Sequence, residues 1–218
     1  MECCPPPVVE KVLVNVCFNT AIEAAEEDLE TFAKKDPASR GSVVEIALGY
    51  SSYKAVAHYR LANALVAMVA ADAANNRDIE SCIALVSSRG KLVSGAEVHP
   101  RCHIGKRFVL DHGWGTVIGE TSSIGDDCYV LGGVTLGATG ISGNPTGKRH
   151  PTLGNRVEIG ALTRIFGAVN IGDDVFVGPN CVITHDIPAG AVVTLKTELQ
   201  VTRMQRNEAS SDHSITFS

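Results

Sequence analysis

The sequence predicts an α+β fold in which an N-terminal helical domain is followed by a parallel β-helix of six-residue repeats. Residues 21–74 are rich in alanine and glutamate, with apolar side chains at helical spacing. Beyond Gly95, glycine and β-branched residues become frequent, and an aliphatic residue recurs every six positions. An amphipathic helix does not keep this period, and an ordinary strand repeats every two residues. The two halves of the chain therefore follow different structural rules.

Three segments of the N-terminal half predict helices. The first is "AIEAAEEDLETFAKK" (21–35), which the breaking sequence "DPASRG" follows. The second is "SVVEIALGYSSYKAVAHYRLANALVAMVAADAA" (42–74), and the third is "DIESCIALVSSRGKLV" (78–93). Their apolar residues fall on one side at the helical period, and no glycine-rich phosphate loop interrupts them.

Thirteen aliphatic residues keep the six-residue step in three runs. They are Val98, Ile104 and Leu110; then Ile118, Ile124, Val130 and Leu136; then Leu153, Ile159, Ile165, Ile171, Val177 and Ile183. A hexapeptide of this kind forms one short strand and a turn, and three of them make one triangular coil of a parallel β-helix. We therefore expect the aliphatic residue to point into the narrow core and the small residue after it to turn the corner.

Two longer steps separate the runs. The step from Leu110 to Ile118 is eight residues, and the step from Leu136 to Leu153 is seventeen. The second predicts a loop that leaves the solenoid, and such insertions commonly build binding sites. Both irregular segments contain a histidine beside a charged residue, Asp111-His112 in one and Arg149-His150 in the other.

The predicted domain organisation has three parts. Residues 1–94 form the helical domain, which we expect to serve oligomerisation, and residues 95–190 form the β-helix. Residues 191–218 form a C-terminal tail whose polar end, "RNEASSDHSITFS", predicts partial disorder.

Four motifs in the solenoid resemble those of the serine O-acetyltransferases, a family of left-handed β-helix acyltransferases. They are "EVHP" (97–100), "LDHGWGTVIGET" (110–121), "VTLGATG" (134–140) and "KRHP" (148–151). Upstream, "KKDPAS" and "YKAVAHYRLANAL" resemble the family more loosely. The resemblance extends over residues 36–187 and implies that the β-helix is left-handed.

The resemblance also implies a reaction, the transfer of acetyl from acetyl-CoA to the hydroxyl of L-serine. Acetyl-CoA is then a co-substrate, with no permanently bound cofactor, no metal and no covalent enzyme intermediate. Such a transfer needs a base for the hydroxyl proton, and histidine suits that role near neutral pH. By resemblance the base is His112, and the acid that orients it is Glu97.

The family binds its amino-acid acceptor through charged side chains. By resemblance Asp36 and Asp111 face the ammonium, while Arg149 faces the carboxylate with His150 beside it. An arginine fork matches a carboxylate in a bidentate manner, so this residue type fits the role. Trp114 stands where the family has a small residue, and we expect its indole to narrow or reshape the acceptor pocket.

The coenzyme A arm is expected along the outside of the coils. The corresponding positions are Ala138, Thr139, Gly160, Ala161 and Pro179. Two departures affect this part of the resemblance. Ile141 replaces a lysine that often follows the glycine-rich motif, and "AGAVVTLKTELQVTRMQ" replaces the "GVPAK"-like segment that helps to hold coenzyme A.

Other interpretations stay open at this stage. His112 alone would fit a solvated loop residue, and Asp36 would fit a helix boundary before Pro37. A related O-acyl- or carbamoyltransferase, acting on a serine- or homoserine-like hydroxyl with another donor, would keep the same mechanism. A non-catalytic solenoid scaffold would need none of these polar residues.

Composition excludes several other classes of protein. The formal net charge is -5 without a cluster of Lys and Arg, so we expect no nucleic-acid partner. No apolar run is long enough for a membrane span, and the N-terminus has no secretion signal, so we expect a cytoplasmic protein. The seven cysteines are scattered, which predicts reduced thiols rather than disulfides or zinc ligands.

The resemblance implies a homotrimer or a dimer of trimers, with sites between subunits. Many family members end in isoleucine, which inserts into the next enzyme of cysteine synthesis. Because Ser218 ends this sequence, we expect no cysteine-synthase complex.

Overall fold

The computed structural model describes residues 15–71 and 77–196. The helices are α1 (Val16–Lys35), α2 (Val43–Gly49), α3 (Ser51–Ala71) and α4 (Arg77–Ser94), with a single 3₁₀ turn at Pro37–Ser39. The predicted helix over residues 42–74 is divided at Tyr50, whose backbone is extended and whose N–H caps α2. Gly49 before the tyrosine and two serines after it lower the helix propensity of this segment, which explains the break.

Helices α1, α3 and α4 pack around an apolar core of their own. Its buried residues are Ala62, Leu65, Met68, Ile79, Cys82, Ile83 and Val86. Helix α4 ends at Ser94 and is followed by Gly95, whose φ of +72° is the left-handed conformation that commonly closes helices. The first strand of the solenoid begins two residues later, at Glu97.

Between residues 97 and 193 of the described chain, fourteen short parallel strands follow. They are β1 (Glu97–Val98), β2 (His103–Ile104), β3 (Val109–Leu110), β4 (Val117–Ile118), β5 (Ser123–Ile124), β6 (Tyr129–Val130), β7 (Thr135–Gly137), β8 (Thr152–Leu153), β9 (Glu158–Ile159), β10 (Arg164–Phe166), β11 (Asn170–Ile171), β12 (Phe176–Val177), β13 (Val182–Ile183) and β14 (Val192–Val193). All thirteen predicted core residues are the second residue of a strand, and all are buried.

The strands form three parallel sheets, as a triangular solenoid requires. Sheet 1 has the order β1-β4-β7-β10-β13, sheet 2 has β11-β8-β5-β2, and sheet 3 has β14-β12-β9-β6-β3. Successive strands of the chain belong to different sheets, and strands three apart are paired as far as β13, whereas β14 pairs with β12. The predicted fold class, helices followed by a hexapeptide β-helix with an extruded loop, is confirmed.

Two edges of the triangular solenoid contain most of the predicted site residues. The His112 corner joins sheet 3 to sheet 1 and comprises residues 111–116, 131–134, 160–163 and 178–181. The Arg149 corner joins sheet 1 to sheet 2 and includes residues 119–122 together with the extruded loop, residues 138–151.

A buried ion pair fastens the helices to the solenoid. Arg60 of α3 contacts Asp28 of α1 at 2.8 Å, and its guanidinium also donates to the carbonyls of Ile104 and Gly105. Asp28 in turn accepts from the backbone N–H of Phe108 at 2.8 Å. Burial raises the pKa of the Asp28 carboxyl, while Arg60 opposes that shift. This network fixes the position of α1 relative to the first coil.

The boundary between helices and solenoid lies close to the predicted position, between α4 and β1. At the other end, β14 lies in the predicted tail, since it pairs with β12 beyond residue 190. The polar segment for which disorder is predicted falls outside the described residues, as does Ser218. In the described part of the chain, no helix is long and apolar enough to cross a membrane.

Candidate active site

A cavity of about 320 Å³ lies where the helical domain meets the His112 corner. Its lining residues are Asp36, Ala38, Gly49, Tyr50, Ser51, Ser52, Asp111 and His112. Asp36 directly follows α1, and Asp111 directly follows β3. The structure therefore brings together three predicted site residues, Asp36, Asp111 and His112, although Asp36 precedes Asp111 by 75 residues in the chain.

The backbone presents His112 outward from this corner. Its φ is +59°, and Gly113 follows with +61°, so the chain makes a tight left-handed turn. Histidine tolerates this conformation better than most residues, but holding it there costs free energy that the surrounding structure must offset. A side chain on Gly113 would lie 2.9 Å from the Ser52 Cβ, so glycine is needed at this position. The resulting imidazole is exposed at the edge of the cavity, where a ligand can reach it.

Each carboxylate of the cavity accepts a hydrogen bond from a tyrosine hydroxyl. Tyr50 donates to Asp36 at 2.9 Å, and Tyr129 donates to Asp111 at 2.8 Å. Hydrogen bonding to its aspartate is the main reason why the pKa of Tyr50 is raised. For Tyr129, burial raises the pKa first and the bond to Asp111 adds to it. Two negatively charged groups thus line one small cavity beside a histidine.

Arg149 and His150 lie at the other corner. The Arg149 guanidinium pairs with the Glu120 carboxylate, and this contact keeps the pKa of Glu120 below its usual value. His150 is buried, and its Nδ1 accepts from the backbone N–H of Thr121 at 3.1 Å. Burial is the main cause of its lowered pKa. Within one chain, this group and the His112 cavity are at different edges of the solenoid.

Glu97, the predicted partner of His112, is exposed and pairs with Lys91 of α4. In the described part of the chain, no hydrogen bond joins its carboxylate to His112. Trp114 is 78% exposed and lies outside the cavity lining, with its indole against Gly95. The tryptophan side chain therefore covers the segment just before Glu97.

The five positions predicted for coenzyme A divide between the two corners. Gly160, Ala161 and Pro179 share the His112 corner, where the N–H of Asn180 donates to the Ala161 carbonyl at 2.9 Å. At this edge the backbone of Gly160 packs closely on the coil below, against Pro179. Gly132 extends this series of small residues towards His112, because a side chain at this position would lie 3.4 Å from the His112 Cβ.

Ala138 and Thr139 lie instead at the Arg149 corner, at the start of the extruded loop. The Thr139 methyl is close to Gly167 of the next coil. Among the described residues, no three His, Cys, Asp or Glu side chains are grouped as a metal site would need.

Comparison with known proteins identifies relatives of this chain. Serine acetyltransferase of Helicobacter pylori (strain ATCC 700392 / 26695) is 42% identical over 163 residues, which are 75% of this chain and 88% of that protein. This chain belongs to the serine acetyltransferases. No protein-family model matches it.

Solved serine acetyltransferase structures share the fold. Isoform 3 from Entamoeba histolytica, in complex with cysteine, has a TM-score of 0.74 and 36% identity over 86% of this chain. The match spans 62% of that longer chain. The enzyme from Brucella abortus strain S19, in complex with coenzyme A, has a TM-score of 0.71 and 26% identity, covering 83% of this chain and 70% of that one.

Sequence reasoning did not identify four polar residues that contact the predicted site residues. Tyr50 and Tyr129 hold the two carboxylates, while Glu120 and Thr121 hold Arg149 and His150. Glu120 and Thr121 stand in the quoted motif "GET", so a signal for them was present. The two tyrosines carry no motif, because their partners come from other elements of the chain.

Proposed function

We propose that this chain transfers acetyl from acetyl-CoA to the hydroxyl of L-serine, with His112 as general base. The observation that carries the proposal is the cavity in which the exposed imidazole of His112 lies beside Asp36 and Asp111. Two carboxylates provide the charge that an amino-acid ammonium needs, and the imidazole provides a base near neutral pH. Membership of the serine acetyltransferases supports the choice of acceptor and donor.

The proposed reaction is a direct attack on the thioester. His112 accepts the proton of the serine hydroxyl while the oxygen bonds to the acetyl carbonyl carbon. The carbon–sulfur bond then breaks, and the imidazolium returns the proton to the departing thiolate of coenzyme A. A positioned base of this kind contributes roughly 10²–10⁴-fold to the rate. Glu97 is proposed as the acid that stabilises the imidazolium, which requires its side chain to leave Lys91 and turn towards His112.

The acceptor's ammonium is assigned to Asp36 and Asp111, and its carboxylate to Arg149. The bound state also involves His150, whose Nδ1 accepts from Thr121, so that its Nε2 is the protonated nitrogen and donates. Trp114 is assigned to the binding site of the acceptor, because it follows His112 by two residues and its indole is exposed. We assign the coenzyme A arm to Gly160, Ala161 and Pro179 of one corner and to Ala138 and Thr139 of the other.

These assignments require a second subunit. The base lies at the His112 corner and the carboxylate-binding arginine at the Arg149 corner, so one chain holds only half of the site. In a closed trimer each interface brings two different surfaces together. A trimer that places the His112 corner of one chain against the Arg149 corner of the next completes the site.

The experiment that tests the function is a mass-spectrometric assay of the purified protein with acetyl-CoA and a panel of hydroxy amino acids. We expect O-acetylserine from the wild type, and a rate roughly 10²–10⁴-fold lower from His112→Ala. His103→Ala is the matched control, because that exposed histidine lies in β2 and outside the cavity. A folded wild-type protein that acetylates no panel member would refute the proposal.

A further inference from the structure

We propose that Tyr50 and Tyr129 are positioning residues, which hold Asp36 and Asp111 at the spacing that receives the acceptor's ammonium group. This inference rests on the proposed function, because it assigns the two carboxylates to acceptor binding. It adds two residues to which neither the motifs nor the cavity's charged groups assign a role. Neither tyrosine is proposed to contact the reacting atoms.

The two carboxylates need external support because they come from different parts of the chain. Asp36 directly follows α1 of the helical domain, whereas Asp111 directly follows β3 of the solenoid. Like charges in one small cavity repel each other until a cation enters between them. Without fixed hydrogen bonds, each carboxylate would turn away towards solvent, and the ammonium site would have to form anew at each binding event.

Tyr50 holds the first carboxylate from the helical side. Asp36 accepts from the Ala38 N–H through Oδ1 at 2.9 Å and from the Tyr50 hydroxyl through Oδ2 at 2.9 Å. The Tyr50 ring is itself fixed, because it packs edge-on against the buried Phe32 with ring centroids 5.5 Å apart. Each carboxylate oxygen retains a second lone pair, so the site can still accept from an ammonium.

Tyr129 holds the second carboxylate and also contacts the helical domain. Its hydroxyl donates to Oδ2 of Asp111, and the Lys35 ammonium lies 5.7 Å from its ring centroid. Lys35 also donates to the Asp127 carbonyl at 3.3 Å. Because Lys35 directly precedes Asp36, this contact sets the end of α1 against the strand next to Asp111.

One apolar cluster supports both rings. Phe32, Ala33, Ile46 and Val109 form its buried centre, and Tyr50, Tyr53 and Tyr129 pack against it. The third tyrosine provides a matched control, because its hydroxyl donates to the Ala25 carbonyl at 3.1 Å and not to either carboxylate. Two of the three hydroxyls on this cluster therefore hold a carboxylate of the cavity.

The test compares Tyr50→Phe and Tyr129→Phe with Tyr53→Phe. Each substitution removes one hydroxyl and keeps the ring, so each loses one hydrogen bond of similar geometry. We expect the KM for L-serine to rise roughly tenfold in the first two variants, which is the factor that about 1.4 kcal/mol produces. The KM for acetyl-CoA should stay unchanged and kcat should change less than twofold. Tyr53→Phe should leave all three constants at wild-type values.

The outcomes separate the inference from the proposed function. A wild-type enzyme that forms no O-acetylserine would overturn both. An active wild type whose KM for L-serine is unchanged in both variants would overturn the inference alone. Equal increases in the KM for L-serine and for acetyl-CoA, or the same change in Tyr53→Phe, would show general loosening and would also overturn it. Melting temperatures report folding, and if one variant melts early the other carries the test, since they hold different carboxylates.

Discussion

The His112 corner and the Arg149 corner each carry a histidine beside a charged residue, yet their environments are opposite. His112 is exposed on a left-handed turn, at the edge of a cavity with two carboxylates. His150 is buried, with Thr121 bonded to its Nδ1, and the neighbouring Arg149 is paired with Glu120. The first corner presents a group that can take up a proton, whereas the second holds its groups in fixed positions.

The difference shows that environment decides the role of each histidine. Burial lowers the pKa of His150, so its neutral form is favoured and it can donate a hydrogen bond without taking up a proton. A ligand that bridges both corners would find a base at one and fixed hydrogen-bond donors at the other. Acyl transfer to an amino acid needs both, a base for the hydroxyl proton and fixed donors that hold the substrate.

The largest expected effect comes from mixing two inactive variants. His112→Ala lacks the proposed base, and Arg149→Ala lacks the guanidinium proposed to bind the acceptor's carboxylate, so each variant alone should be nearly inactive. In trimers that contain both variants, which the two tags select, about one interface in three would combine an intact His112 corner with an intact Arg149 corner. Coexpression, purification through two tags and the acetylserine assay would measure the recovered activity.

Homogeneous preparations that are mixed without subunit exchange are the control for that experiment. Recovery only after coexpression would locate the site between subunits. No recovery from proven mixed trimers would mean that each site lies within one chain, contrary to the comparison of the two corners.

A smaller effect is expected from Arg149→Lys. Lysine keeps the charge but loses the planar fork that binds a carboxylate in a bidentate manner, so the KM for L-serine should rise by roughly one order of magnitude while kcat changes less. Arg156→Lys is the matched control, because Arg156 is exposed and pairs with Asp174 at the corner that joins sheet 2 to sheet 3. Steady-state kinetics at saturating acetyl-CoA measures both. Equal changes in the two variants would argue against carboxylate binding by Arg149.

The smallest expected effect is a loss of stability at mildly acidic pH. Burial lowers the pKa of His99 and of His150 from the ordinary 6.5, so the unfolded chain binds these protons more tightly than the folded one. The stability is therefore fully present above pH 6.5 and falls as the pH drops below it. Urea unfolding at pH 7.5 and pH 5.5 would measure this, and His150→Gln should reduce the difference. A midpoint independent of pH in the wild type would contradict the predicted role of burial.

Much of the fold was predictable because the repeat leaves little freedom. A residue every six positions must face the same axis in a triangular coil, so Val98 through Ile183 could be assigned to the core one by one. The helix over residues 42–74 was less certain, since periodicity alone did not reveal the extended backbone at Tyr50 that separates α2 from α3. The proposed base, His112, could be named from the spacing of its motif, because the motif lies within one continuous stretch.

The contacts of the site were less predictable than its residues. The pairing of Glu97 with Lys91 depends on where α4 ends relative to β1, and the position of Trp114 against Gly95 depends on the same junction. Tyr50 reaches Asp36 within the helical domain, and Tyr129 reaches Asp111 because β6 pairs with β3, so each bond joins residues that are distant in the chain. None of these side-chain contacts follows from a residue's immediate neighbours.

The sequence by itself determined the solenoid, its core residues and the place of His112 between two runs of the repeat, because each depends on local spacing. Only the tertiary structure decided that Asp36 joins Asp111, that two tyrosines hold them and that the arginine lies at a different edge from the base. The physical reason is that these relations join residues distant in the chain, and the first of them depends on how the helical domain packs against the solenoid. That packing is set by the buried Arg60–Asp28 pair and an apolar cluster drawn from separate elements.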